Sequence, residues 1–120
     1  MKFTLPWPPS VNRYYRSPTK GRLAGRHLIS EAGRQFRSDA VAAVIEQGRP
    51  KQPLSCRLRV NVLVCPPDRR RRDLDNLSKG VLDALTHAGV IEDDSLIDDL
   101  RLVRGGVSDR GFVEVEVSEA

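Results

Sequence analysis

Between Leu54 and Val64 the apolar residues Leu54, Cys56, Leu58, Val60, Val62 and Val64 alternate with Ser55, Arg57, Arg59 and Asn61. A period of two is satisfied only by a strand with one buried face. Pro66 and Pro67 cannot donate to a sheet ladder, so the strand is predicted to end there and 68–73 to form a loop. The period then changes. At about 100° per residue, Leu77, Val81, Ala84, Leu85 and Ala88 fall on one stripe and Asp75, Asn76, Lys79 and Asp83 on the opposite face, which predicts a helix over 75–87 stopped by Gly89.

The remaining elements are read in the same way. Residues 2–5 (KFTL) form a short strand halted by Pro6, Pro8 and Pro9. Ser30 is placed to cap a helix that buries Phe36, Ala40, Val41 and Val44 and ends near Gln47, before Gly48 and Pro50. Residues 96–104 and 112–118 read as strands, with Gly105, Gly106 and Gly111 marking a hairpin between them. The expected fold is α+β, a single domain of order β-α-β-α-β-β, with a mixed sheet packed by two helices. A chain of 120 residues supports one core of this size and not two.

No run of about 18 apolar residues is present, and the N-terminus lacks a signal-peptide pattern, so a cytoplasmic location with no membrane contact is expected. Cys56 and Cys65 are an odd number of residues apart, so they face opposite sides of a strand and serve as packing residues in a reducing compartment. Without nearby histidines they make a poor zinc site. The charge is unevenly distributed: residues 1–82 hold 17 Lys and Arg against 6 Asp and Glu, whereas 83–120 hold 3 against 10. A basic majority suits a polyanion, and the acidic remainder supplies metal ligands or solvated surface.

Where these tendencies meet, at Arg69–Lys79 (RRRRDLDNLSK), four arginines stand directly beside an Asp-x-Asp pair. Carboxylates next to phosphate contacts lower affinity for a polyanion unless a cation lies between them, and hard divalent cations take one or two carboxylates together with phosphate oxygens. This points to metal-dependent phosphodiester chemistry. In extended backbone Asp73 and Asp75 point the same way and can share one cation, and Lys79, a turn beyond Asp75, can stabilise charge developing on phosphorus. The plainer alternative has Asp75 capping the helix and Lys79 pairing with it at i+4.

A further ligand is available from Glu92, Asp93 or Asp94, if the chain folds back along the helix or if the acid comes from a neighbouring subunit. Residues 10–29 read as a loop carrying Arg13, Arg16, Lys20, Arg22 and Arg26 with no acid, and Tyr14 and Tyr15 either stack on bases or cover the edge of the core. His27 and His87 neighbour no nucleophile, and the glycines form no phosphate-cradling motif.

Three segments, LPWPPSVNRYYR, PDRRRRDLDNLSK followed by LDALTHAG, and the downstream IEDD, give the chain a resemblance to the RusA family of Holliday junction resolvases over nearly its whole length. The resemblance implies a homodimeric endodeoxyribonuclease of recombination and repair that makes paired nicks in a four-way DNA junction. It implies Mg2+ or Mn2+ held by Asp73, Asp75 and Asp94, with Asp93 as the adjacent substitute and Lys79 as the fourth catalytic residue. A two-fold dimer suits a junction of approximate two-fold symmetry. Leu82 stands where a relative can carry an aromatic side chain, and the match over 16–29 is loose. DNA contact is expected from Arg13, Arg16, Lys20, Arg22, Arg26 and Arg69, Arg70, Arg71 and Arg72. The alternatives are a nuclease for other branched DNA and a non-catalytic DNA-binding or regulatory protein.

Overall fold

The computed structural model describes residues 1–120. Its main sheet has four strands, β1 (Lys2–Pro6), β4 (Leu58–Cys65), β5 (Ile97–Arg104) and β6 (Phe112–Glu119), in the order β1-β6-β4-β5. The β1–β6 and β6–β4 pairs are antiparallel and β4–β5 is parallel, so the sheet is mixed. Helices α2 (Glu31–Gln47) and α3 (Asp75–His87) pack on it. The core between them combines Phe3 and Leu5 of β1, Val60, Val62 and Val64 of β4, and Val113, Val115 and Val117 of β6 with Phe36, Ala40 and Val44 of α2 and Leu77, Val81, Ala84 and Leu85 of α3. The period-two and helical stripes read from sequence are therefore the buried faces.

The expected caps are also present. Ser30 Oγ accepts from Gly33 N–H at 3.0 Å, and Gly48, at φ 94°, closes α2 in the left-handed conformation. Cys65 is buried as a packing residue, whereas Cys56 is exposed because it precedes β4 and does not share the strand on which the spacing argument rests.

Three expectations are corrected. The hairpin between 96–104 and 112–118 does not form, because β5 and β6 flank β4 on opposite sides and the 105–111 segment crosses the end of β4. The reason is burial: β6 buries Val113, Val115 and Val117 and needs a neighbour on each side, whereas β5 carries Asp98, Asp99 and Arg101 and suits an edge. Helix α3 supplies the long crossover that a parallel β4–β5 pair demands.

The second correction concerns the start of the period-two run. The strand begins at Leu58, and Leu54 instead makes a separate bridge to Ile91. Third, residues 10–29 are not all loop. Val11–Tyr14 form a short helix α1, and β2 (Tyr15–Arg16) pairs with β3 (Leu28–Ile29).

This second ladder exists because Tyr14 is fully buried. Its carbonyl accepts from Ser30 N–H at 2.8 Å and Ser30 Oγ at 3.0 Å, tying α1 to the start of α2. The approach is so close that a Cβ on Gly33 would lie 2.4 Å from the Tyr14 carbonyl oxygen. A Gly33→Ala substitution should therefore force the two helices apart and destabilise the protein by about 1–3 kcal/mol, measured by denaturant unfolding. Stability within about 0.5 kcal/mol of wild type would show that the contact yields freely.

Candidate nucleic-acid interface and active site

The stop at Pro66–Pro67 turns the chain away from the sheet and sets the arginine run beside the Pro-rich segment that follows β1. Between them and α2 lies an open groove of about 800 Å3, whose walls include Trp7, Arg13, Arg70, Arg71, Arg72 and Asp73. Arg13 and Arg71 are exposed and make no ion pair with any acid, so their charge is free for a phosphate. Arg70 is exposed and stands 3.7 Å from Asp68. Arg69 is exposed, and so are Arg16, Lys20, Arg22 and Arg26, which lie outside the groove walls.

Arg72 differs from its neighbours. Its Nη1 donates to the Asp68 carboxylate at 2.7 Å and to the Asp68 carbonyl at 3.2 Å, and its guanidinium lies 5.4 Å from the centre of the Trp7 ring. These contacts hold Asp68 below the usual carboxylate range, chiefly through the Arg72 hydrogen bond. Expected as a DNA contact, Arg72 lines the groove and, through Asp68 and Trp7, braces the loop that presents the other three arginines.

Asp73 and Asp75 are not joined by the extended backbone expected of them. Leu74 between them is already helical (φ −59°, ψ −40°), and helical residues two apart do not face each other. Asp73 lines the groove with Asn76 and Leu77, and Asp75 opens α3. Neither carboxylate has a hydrogen bond or ion pair within the chain. Asp75 does not cap α3: the capping position is Leu74, which offers no side-chain acceptor, and Lys79 does not pair with Asp75.

Lys79 pairs with Asp94. The Nζ to Oδ2 distance is 4.0 Å, within one chain, so Asp94 comes to α3 without help from a second subunit. The return is shorter than the full helix. Lys79 is eight residues from the end of α3, about 12 Å at ~1.5 Å per residue. Gly89 turns the chain at φ 80°, Val90 and Ile91 are buried, and the Leu54–Ile91 bridge steers the strand-like segment back. Asp93 is occupied, because its carboxylate accepts from Ser95 N–H at 3.1 Å and caps the 3-10 turn Asp94–Leu96. That Ser95 contact leads the causes holding its carboxyl below the ordinary range.

The donors are all oxygen, suited to Mg2+ or Mn2+, and Asp73 and Asp75 have unshared lone pairs. The chain by itself does not gather three acidic, histidine or cysteine side chains around one point. A cation that shares its shell with a DNA phosphate needs only one or two protein carboxylates, which this arrangement can supply.

Sequence reasoning missed a polar cluster behind the groove. Asp83, expected on the open face of α3, accepts from Tyr14 Oη and from Arg37 Nη2, the latter at 2.5 Å. Burial opposes its ionisation, yet the Tyr14 and Arg37 hydrogen bonds hold its carboxyl below the usual range. Burial and the Asp83 contact push Tyr14 up to about 12 from 10.0. Tyr14 therefore cannot stack on a base, and Tyr15 is itself stacked on His27 at 4.3 Å. Glycines inside two helices were the available signal: a Cβ on Gly80 would lie 3.0 Å from the Tyr14 ring, and one on Gly33 would strike its carbonyl.

The cluster makes stability depend on pH in a defined direction. Tyr14 has a higher pKa folded than unfolded, so its contribution is present below pH ~10 and lost as pH rises toward about 12. Asp83 has a lower pKa folded, so its contribution is present above pH ~4 and lost as pH falls through the folded value. The melting temperature of wild type should fall more steeply between pH 10 and 12 than that of Tyr14→Phe. Parallel curves would disprove the coupling.

A family model, Endodeoxyribonuclease RusA, matches residues 6–118, and the chain belongs to this family. Among its relatives are the crossover junction endodeoxyribonucleases of Enterobacteria phage HK97, 42% identical over 118 residues (98% of this chain, 93% of the relative), and of Escherichia coli K12, 42% identical over 116 residues (97% and 92%). The protein of the same name from Enterobacteria phage 82 is 43% identical over 116 residues (97% and 92%).

Proposed function

We propose that this chain is an endodeoxyribonuclease that cuts four-way DNA junctions, acting as a homodimer with a divalent cation at each site. One juxtaposition carries the reading: unpaired Asp73 in an arginine-walled groove, with Asp94 brought to Lys79 a turn from Asp75 on the same helix. It is supported by the family and by the activity for which the relatives are named.

Arg13, Arg70 and Arg71 would take the phosphates of the bound strand, and Arg69 and the 16–26 arginines and lysine would take the flanking backbone. Asp73, Asp75 and Asp94 would supply the one or two carboxylates that, with a DNA phosphate completing the shell, hold Mg2+ or Mn2+, which supplies Lewis-acid neutralisation of the scissile phosphate and activates water. Lys79 is half-exposed on α3 and offers an ammonium to the charge that builds on phosphorus, while Asp94 fixes its direction. In-line attack would leave a 5′-phosphate and a 3′-hydroxyl. A two-fold dimer would set two such sites on opposing strands.

The test is a synthetic four-way junction incubated with Mg2+, Mn2+ or chelator, with both nicks mapped. Symmetric nicks that vanish in chelator are expected. Cleavage that persists in chelator would remove the cation from the mechanism, and cleavage of linear duplex at equal rate would remove the junction as substrate.

A further inference from the structure

We propose that the 105–111 loop, with Arg104 and Arg110, is a second phosphate-binding element that grips DNA backbone beside the groove. The inference rests on the junction-cutting reading above and adds a surface to it. Because this loop crosses the end of β4 instead of closing a hairpin, it abuts the arginine loop 66–72. It is fastened there: Gly105 N–H donates to the Val64 carbonyl at 2.8 Å and Ser108 N–H to the Pro66 carbonyl at 2.9 Å. Gly111 lies against Pro67 so closely that a Cβ would come within 2.8 Å of Pro67 Cδ. Such a loop presents its side chains with little ordering cost on binding.

Both arginines carry uncompensated charge. Arg104 donates from Nη2 to the Arg72 carbonyl at 2.6 Å and shares a crevice with Arg70 and Trp7, leaving its other donors free. Arg110 is exposed and holds φ 66°, the single non-glycine residue in the left-handed region. Such a conformation costs an arginine about 1–2 kcal/mol, so a neutral stability role would favour glycine there. Neither arginine pairs with an acid, and Asp109, the loop's one acidic residue, pairs with neither. Nearer the start of β4, by contrast, Arg57 is bound by Asp98 and Arg59 by Asp99. Free positive charge is thus concentrated where the strand delivers the chain to the groove.

The double variant Arg104→Gln/Arg110→Gly tests this. Glutamine keeps an amide donor for the Arg72 carbonyl, and glycine accepts the left-handed backbone, so charge is removed with the loop retained. Binding of a four-way junction is measured in chelator across a salt series, with thermal melts to establish folding. Each lost phosphate contact lowers the slope of log affinity against log salt by about 0.9, so a decrease of about 1.8 is expected, with affinity near 0.1 M salt down more than tenfold. Arg104→Lys/Arg110→Lys should keep the slope, and Lys51→Ala, in the segment that enters β4 at its far end, should change neither quantity. An unchanged slope and affinity in the charge-free variant, or an equal loss in Lys51→Ala, would overturn the inference. Failure of the wild-type protein to bind branched DNA at all would instead overturn the reading beneath it.

Discussion

Asparagine at Asp73 or Asp75 should leave junction binding intact, or tighten it slightly, and slow single-turnover cleavage about a thousandfold. The expectation follows from what the substitution keeps and removes. Asparagine matches the carboxylate in size and retains one acceptor oxygen, and neither aspartate has a partner in the chain whose loss would disturb the fold. What disappears is one negative charge, at Asp73 within the groove that Arg70 and Arg71 line, and its loss favours the polyanion. Lewis-acid stabilisation of a phosphoryl transition state is worth several kcal/mol, and about 4 kcal/mol corresponds to a factor of about a thousand. Gel shift in chelator and cleavage in Mg2+ measure the two halves separately. Cleavage by both variants at the wild-type rate would take the carboxylates out of the chemistry.

Asp94 allows a sharper version of the same experiment. Because it lies 4.0 Å from Lys79, Asp94→Asn should remove both the proposed cation ligand and the carboxylate beside the ammonium. Lys79→Ala and Asp94→Asn should therefore combine less than additively in cleavage rate.

How far the chain could be read in advance depends on the range of the interactions involved. Strand β4 and helix α3 were legible because their periods are local and each is bounded by proline or glycine. The partner of β5 was not. Gly105, Gly106 and Gly111 are what a hairpin turn needs, but sheet order follows from which strand must be covered on both sides, and that is a property of the assembled sheet. The role of Tyr14 was left open for a related reason. In a basic segment a tyrosine suggests base stacking, and only Gly33 and Gly80, far along the chain, reveal that a ring and its carbonyl must fit between two helices.

The acidic residues divide in the same way. That Asp73, Asp75 and Asp94 belong to one region could be seen from their neighbours and from the family likeness. Their relative directions could not, since Leu74 is helical where extended backbone is expected between Asp73 and Asp75. The path of Asp94 was open because a return to the start of α3 spans the whole helix, whereas the chain needs to reach only Lys79 and is guided there by Leu54.

The arginine run should separate into two functions when its members are removed in groups. Replacing Arg69, Arg70 and Arg71 together with alanine should leave stability nearly unchanged, since all three are exposed and only Arg70 approaches an acid, at 3.7 Å. Three phosphate contacts contribute about 2.7 to the salt slope, so junction affinity near 0.1 M salt should fall at least a hundredfold and the slope should flatten by about that amount. Arg72→Ala should behave in the opposite sense. It removes the hydrogen bonds to Asp68 and the contact with Trp7, at a cost of about 1–2 kcal/mol in denaturant unfolding. Its effect on the salt slope should be well under one unit, because the guanidinium is already committed to Asp68, and any loss of affinity should come from a loosened loop. A slope that drops by a full unit in Arg72→Ala, with unfolding unchanged, would mean that Arg72 releases Asp68 to meet a phosphate when DNA binds. The brace and the grip would then be the same residue in two states.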